Sequence, residues 1–368
     1  MHSLTDKNIL LISPEAWGKS LVSKHHYAIS LAKRGNRVYF LNPNSEPSLI
    51  YQPLENVDLF VVGDVKIQRG LRLLPSFLQR YFFGKAIKRL EQKCKTSFNI
   101  VWSFDSSRYF NLLCFRDSIR VFQMMDYRYD FNLAQISSSA HICLGVTDEI
   151  VRKQKVYNPQ SYFLQHAVHE FTPKNITLPS GKSNVKAFYA GNLLLRFIDR
   201  KLVLRILDEF PNVDFFFAGA SGIGNLNTIV SELDTAFIKE LSSRKNVFLL
   251  GEKSPDELPS LMEQSDILLV FYDHLNYPSD VANSHKILSY LAAGKVILAN
   301  HTEQYASLGL LEMTSSHDEY IKKMSEIIAD LDSFNTPELQ SQRKLYASEH
   351  TYEKQIQKIE KILGTLLS

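Results

Sequence analysis

Short apolar runs, each followed by a stretch of helical periodicity, alternate along this chain in two successive series. Residues 8–13, 37–42, 57–62, 99–104, 120–125, 141–146 and 162–165 form the first series. Such runs lack polar alternation and suit strands buried on both faces of a parallel sheet. Between the first two, residues 20–34 carry Leu21, Ala28, Leu31 and Ala32 on one side, with Gly35 as a stop, and predict a helix. This strand–helix–strand unit is the seed of a doubly wound sheet. The pattern breaks at residues 171–184, which hold Pro173, Pro179 and Gly181 and have no periodicity. It then begins afresh, with strands expected at 185–190, 213–218, 247–250, 266–271 and 296–299 and helices at 199–210 and 227–243. Ser254-Pro-Asp-Glu257 is a capping box that opens another helix. Residues 316–368 read as mainly helical.

The expectation is an α/β chain of two doubly wound domains facing a cleft, with a helical C-terminal tail. The first covers 1–172, a linker 173–184 and the second 185–340. Residues 341–368 form a terminal helix that packs back toward the first domain. A length of 368 residues suits two cores of ordinary size. In such sheets ligands bind beyond the carboxyl ends of the strands.

Composition narrows the function. A net charge of +3 argues against a dedicated nucleic-acid binder. Cys94, Cys114 and Cys143 are widely spaced and odd in number, which disfavours a disulfide framework or a zinc site and suits a reducing cytoplasm. The first seven residues do not read as a signal peptide, and no run approaches the ~18 apolar residues of a membrane span. A nicotinamide dehydrogenase is disfavoured, because Gly-x-Gly-x-x-Gly is absent after the first strand.

The segment from Tyr277 to Lys295 carries the sharpest local signal. Asn283 is placed to cap a helix, Ser284, His285 and Lys286 fill its first turn, and Gly294 stops it. Ile287, Leu288, Leu291 and Ala292 supply its apolar stripe. A lysine in a first turn does not help an isolated helix, whose amino end is already positive. Either Lys286 points into solvent, or an anion such as a phosphate belongs there.

Two other regions stand out. Residues 66–95 contain nine Lys/Arg and one acid, Glu91. Arg80, Lys85, Lys88 and Arg89 lie among Leu71, Leu73, Leu74, Phe77, Leu78, Tyr81, Phe82 and Phe83. This basic, aromatic segment suits an anionic membrane surface, and equally a solvated helix with one face on a sheet. Asp126, Arg128 and Asp130 follow a predicted strand. A carboxylate there either orients an acceptor hydroxyl as a base or caps the next segment.

The runs Asn246-Val-Phe-Leu-Leu-Gly-Glu-Lys-Ser-Pro-Asp-Glu-Leu-Pro259, Ser265-Asp-Ile-Leu-Leu-Val270 and Asn283-Ser-His-Lys-Ile-Leu-Ser-Tyr-Leu-Ala-Ala-Gly-Lys295 resemble the donor domain of GT-B glycosyltransferases. The likeness is to family-4-type bacterial enzymes of surface polysaccharide and glycolipid synthesis. Phe188-Tyr-Ala-Gly-Asn192 resembles the first strand and loop of that domain, and residues 25–38, 143–150 and 163–171 resemble parts of its N-terminal half. The resemblance implies a GT-B fold and transfer from a nucleoside diphosphate sugar to a glycan or lipid-linked acceptor. It further implies retention of configuration. No Asp-x-Asp stands in a strand-end loop, so no metal is expected, with helix dipole and cations in its place, and no cofactor. Asp330-Leu-Asp332 lies in the helical tail and reads as a solvated face.

For the donor, the resemblance implies Gly191 and Asn192 in the first loop, Asn283, Ser284 and Lys286 at the diphosphate, and Arg196 as a second cation. For the acceptor it implies Glu15, Trp17, His25, Asp130 and His166, with Asp126 as catalytic carboxylate. A packed histidine is the competing reading for His166. Three positions depart from the family pattern: Ser289 stands where a ribose-binding glutamate is usual, Ala167-Val168-His169 replaces Gly-Val-Asp, and Trp17-Gly18 replaces a Gly-Gly pair. These departures keep two alternatives open, a non-catalytic GT-B partner subunit and a sugar-nucleotide epimerase. The expected location is the cytoplasm, peripheral on the inner face of the membrane.

Overall fold

The computed structural model describes residues 4–18, 21–43, 45–64, 71–126, 132–169, 174–219 and 231–367. The chain divides into two compact units, one of Met1–His166 with Tyr352–Ser368 and one of Ala167–Thr351.

The first unit is built on an eight-stranded sheet. Its strands are β1 (Asn8–Ile12), β2 (Arg37–Asn42), β3 (Ile50–Tyr51), β4 (Leu59–Gly63), β5 (Ile100–Ser103), β6 (Ile119–Met124), β7 (Ile142–Gly145) and β8 (Ser161–Phe163). They lie in the order β3-β4-β2-β1-β5-β6-β7-β8, and only the short edge strand β3 runs antiparallel. The sequence pattern missed β3, whose two residues carry no apolar run of their own. Ile9, Leu10, Leu11 and Ile12 of β1 are fully buried, as a central parallel strand requires. The terminal helix Tyr352–Leu367 belongs to this unit and pairs through Glu353 and Glu360 with Arg34.

The second unit is built on a six-stranded, all-parallel sheet. Its strands are β9 (Lys186–Ala190), β10 (Asp214–Ala218), β11 (Val247–Gly251), β12 (Ile267–Val270), β13 (Val296–Asn300) and β14 (Glu312–Thr314). Their order is β11-β10-β9-β12-β13-β14, the 3-2-1-4-5-6 arrangement of a doubly wound sheet. The direction of winding reverses between β9 and β12, and that is where such sheets hold ligands.

The stretch expected as a free linker is tied to this unit. Lys174 N–H donates to Ser260 Oγ, Leu178 N–H to Gln264 Oε1 and Ser183 N–H to Asp214 Oδ2. The division between units accordingly falls at His166, and again at Thr351 rather than at 340. In the expected capping box, Ser254 N–H does donate to the Glu257 carboxylate, but the helix itself starts at Leu258. Among the described residues, no helix is long and apolar enough to cross a membrane.

Candidate functional site

The helix His285–Ala293 runs from the loop after β12, and Gly294 ends it in a left-handed conformation, as its position predicts. Its N-cap is Ser284, one residue later than expected, and the Ser284 side chain makes no capping bond. The Ser284 hydroxyl is instead 2.6 Å from the Tyr272 hydroxyl, and Ser284 O accepts from Tyr305 Oη at 3.2 Å. Tertiary bonds to two tyrosines therefore fix where the helix begins. Asn283 stands one position further out, so its expected role as the cap is corrected.

Lys286 lies in the first turn of this helix, and its side chain does not run out into solvent. Its ammonium sits 3.6 Å from the centre of the Tyr189 ring and 5.3 Å from that of Tyr272. Tyr189 belongs to β9 and Tyr272 follows β12, so the charge lies where the winding reverses. Among the described residues no carboxylate pairs with it. Two ring faces return about 2 kcal/mol or more where water is excluded, while complete removal of an ammonium from water costs several kcal/mol; Lys286 is half-buried. Desolvation wins, and burial holds the Lys286 pKa well below its ordinary value. An anion in front of it would reverse that balance.

Gly191 makes the space. Its φ is +142°, and a Cβ there would lie 2.8 Å from Lys286 Nζ and 3.2 Å from Tyr189 Oη. Gly219, at the end of β10, stacks against it so closely that a Cβ would lie 1.9 Å from Gly191 O. Only glycine fits either position. The loops after β9 and β12 are joined by a bridge between Ile198 and Tyr272 and by Asp273 N–H donating to Phe197 O.

The other expected donor residues fall into two groups. Asn192 Oδ1 accepts from Leu194 N–H and shapes its own loop. Ser289 Oγ donates to His285 O within the helix. Arg196 is on the rim and paired, with its guanidinium 3.0 Å from the Asp280 carboxylate and 5.2 Å from the Tyr277 ring centre. His285 turns its ring toward Ala167 O at 2.8 Å; since a carbonyl only accepts, Nε2 carries the proton.

In the first unit the winding reverses between β1 and β5, and the chemistry there is different. Arg108 spans the gap, with Nε 2.7 Å from Asp105, Nη1 2.6 Å from Asp64 and Nη2 bonded to Ser13 O. Tyr109 Oη donates to Asp64 at 3.0 Å. Burial works against the Arg108 charge, but the Asp105 and Asp64 carboxylates outweigh it and raise its pKa. Lys24, also buried, pairs with Glu15 at 2.9 Å. Asp126 is exposed and lines a hollow with Pro14, Lys24, Phe104, Phe122 and Met125.

His25 is a packed residue. Nδ1 accepts from Val22 N–H and Nε2 donates to Ala16 O, which fixes a neutral ring between Trp17 and Phe40. Burial lowers its pKa accordingly. His25 and Trp17 thus hold the loop after β1 in shape. His166 is buried and its carbonyl accepts from Gln355. Asp130 and Arg128, with Lys66 and Arg69 of the basic stretch, lie outside the described residues.

The helix Ser76–Cys94 carries Arg80, Lys85, Lys88, Arg89 and Lys93 of that stretch. Phe83, Ile87 and Leu90 are buried, while Arg80, Lys85, Lys88 and Arg89 are exposed. Leu73, Phe77 and Tyr81 are exposed too, at 84%, 62% and 55%. Sequence reasoning passed over Lys24, Asp64, Asp105, Arg108, Tyr189 and Tyr272.

No family model and no curated protein matches this chain. Solved structures do. A sucrose-phosphate synthase from Thermosynechococcus elongatus is 12% identical with a TM-score of 0.69, over 98% of this chain and 99% of that one. Anabaena HepE in complex with UDP-glucose is 14% identical with a TM-score of 0.64, over 98% of this chain and all (100%) of that one. The catalytic domain of Arabidopsis thaliana starch synthase IV, bound to ADP and acarbose, is 9% identical with a TM-score of 0.67, over 99% of both chains. These likenesses show the fold: the chain is an α/β protein of the GT-B architecture, with two parallel-sheet domains and a helical C-terminal region.

Proposed function

We propose that this chain is a glycosyltransferase that moves a sugar from a nucleoside diphosphate sugar to a hydroxyl of a glycan or lipid-linked acceptor. The observation that carries this reading is Lys286, an ammonium without a carboxylate partner among the described residues, in the first turn of a helix where the sheet reverses its winding. The diphosphate takes that position. Its charge grows as the glycosidic bond breaks, and Lys286 with the helix amino end stabilises the departing group. That charge does the work of a divalent ion, so the proposed reaction is metal-independent, and the resemblance suggests retention of configuration. Arg196 joins as a second cation once it exchanges Asp280 for phosphate. Asp126, exposed on the first unit's hollow, receives the acceptor's proton. The ligands bound in two similar structures, UDP-glucose and ADP, support a nucleotide donor. Donor hydrolysis or transfer, measured for the wild type and Lys286→Ala, tests the site. An active Lys286→Ala protein sinks it.

Ser289 favours a second reading, a non-catalytic partner subunit. Its hydroxyl is bonded within the helix and offers no carboxylate to a ribose. Calorimetry showing no binding of any nucleotide or nucleotide sugar would select this reading.

The acceptor side is further proposed to work on an anionic membrane surface at the inner, cytoplasmic face. Leu73, Phe77 and Tyr81 follow one another at intervals of four residues and stay exposed beside Arg80, Lys85, Lys88 and Arg89. A face of this kind suits the boundary between headgroups and acyl chains.

A further inference from the structure

Four tyrosines, one of them in the helix His285–Ala293 and three beside it, tie this helix to its surroundings, three of them through their hydroxyls. Tyr290 Oη accepts from Ala190 N–H at 2.7 Å, Tyr272 Oη meets Ser284 Oγ at 2.6 Å, and Tyr305 Oη donates to Ser284 O at 3.2 Å. The fourth, Tyr189, is 1% exposed, and its hydroxyl has no hydrogen-bond partner among the described residues. A buried hydroxyl left without a partner is destabilising. Packing does not require it, since the Tyr189 ring stacks on Phe271 at 5.6 Å and lies 6.0 Å from Phe217, contacts a phenylalanine would make as well. The hydroxyl lies beside Gly191. A point one Cβ bond from the Gly191 Cα lies 3.2 Å from Tyr189 Oη and 2.8 Å from Lys286 Nζ. Two hydrogen-bond donors from different elements thus lie together beside the Gly191 backbone.

We propose that Tyr189 is a second ligand of the bound diphosphate, its hydroxyl donating to a phosphate oxygen that the Lys286 ammonium also holds. This rests on the donor-site reading above and adds to it a neutral donor from β9. Burial raises the Tyr189 pKa well above its ordinary value, so the group keeps its proton and remains a donor. The ring has a separate task, since its face carries the ammonium. Tyr189→Phe removes the hydroxyl and keeps the face.

The test is isothermal titration of the full chain with UDP, ADP, GDP and inorganic pyrophosphate, alongside thermal unfolding without ligand. For the diphosphates that bind, Tyr189→Phe lowers affinity about tenfold or more. Its ligand-free thermal midpoint stays level or rises, because an orphan hydroxyl has gone. Unchanged affinity in Tyr189→Phe overturns the proposal. So does a loss of affinity accompanied by a lower ligand-free midpoint, which would mark a structural role. Lys286→Met separates the two levels of the argument. If it loses binding while Tyr189→Phe binds normally, only the Tyr189 assignment fails. If the wild type binds no diphosphate, the donor-site reading fails and this one with it.

Discussion

The two sheets reverse their winding in the same way, yet the places where they do so are finished differently. In the first unit the gap between β1 and β5 is closed by charges that satisfy one another, Arg108 with Asp64 and Asp105, and Lys24 with Glu15. In the second unit the gap between β9 and β12 holds an ammonium facing ring π-clouds and a hydroxyl facing no partner among the described residues. A paired network organises loops; an unpaired donor set suits the proposed diphosphate. Topology alone marks both places as candidate sites, and charge pairing assigns them different tasks.

The comparison can be broken most severely at Lys286. Lys286→Met is expected to reduce sugar transfer by about a hundredfold or more, since a charged donor aimed at a leaving diphosphate is worth about 3–4 kcal/mol in the transition state. A steady-state assay with saturating donor checks it. In the first unit the matching change is Asp105→Ala, which leaves Arg108 buried with half its carboxylate partners. It should cost about 3 kcal/mol of stability in denaturant titration while leaving diphosphate affinity unaltered. If Asp105→Ala abolishes nucleotide binding in a folded protein, the division of tasks is wrong.

A smaller effect is expected at Gly191. Gly191→Ala forces a side chain into a positive-φ position and against Lys286 Nζ, costing about 1–2 kcal/mol of stability and weakening diphosphate binding in calorimetry. Stability should also depend on pH. In the unfolded chain Lys286 titrates near its ordinary value of 10.5, and in the folded protein well below it. Between those two values the unfolded state binds more protons, so this residue makes stability rise with pH. Denaturation midpoints across alkaline pH should show that contribution in the wild type and lack it in Lys286→Met. Diphosphate binding restores the charge, so within the same window affinity should fall as pH rises.

Much of this architecture is legible in the sequence, because parallel strands buried on both faces must be apolar throughout. The runs at 8–13 and 185–190 therefore announce β1 and β9 almost to the residue. Asn283 and Ser284 are equally good caps by composition, and the hydroxyls of Tyr272 and Tyr305 decide between them from elsewhere in the chain. Lys286 could be marked as misplaced in a first turn, but its lack of a carboxylate partner is a fact of tertiary structure. The Arg108 network was invisible for the same reason, since it joins Ser13, Asp64 and Asp105 from three separate loops. Tyr189 was hidden by its setting, a hydroxyl inside a run of Phe and Ala that reads as core.

The most direct test of the central claim is a crystal structure of the full chain with a bound nucleoside diphosphate, UDP or ADP. The account predicts phosphate oxygens within hydrogen-bond distance of Lys286 Nζ, in front of Gly191 and at the amino end of the helix His285–Ala293. A diphosphate seated instead on Arg108 in the first unit, or anywhere away from Lys286, would contradict it.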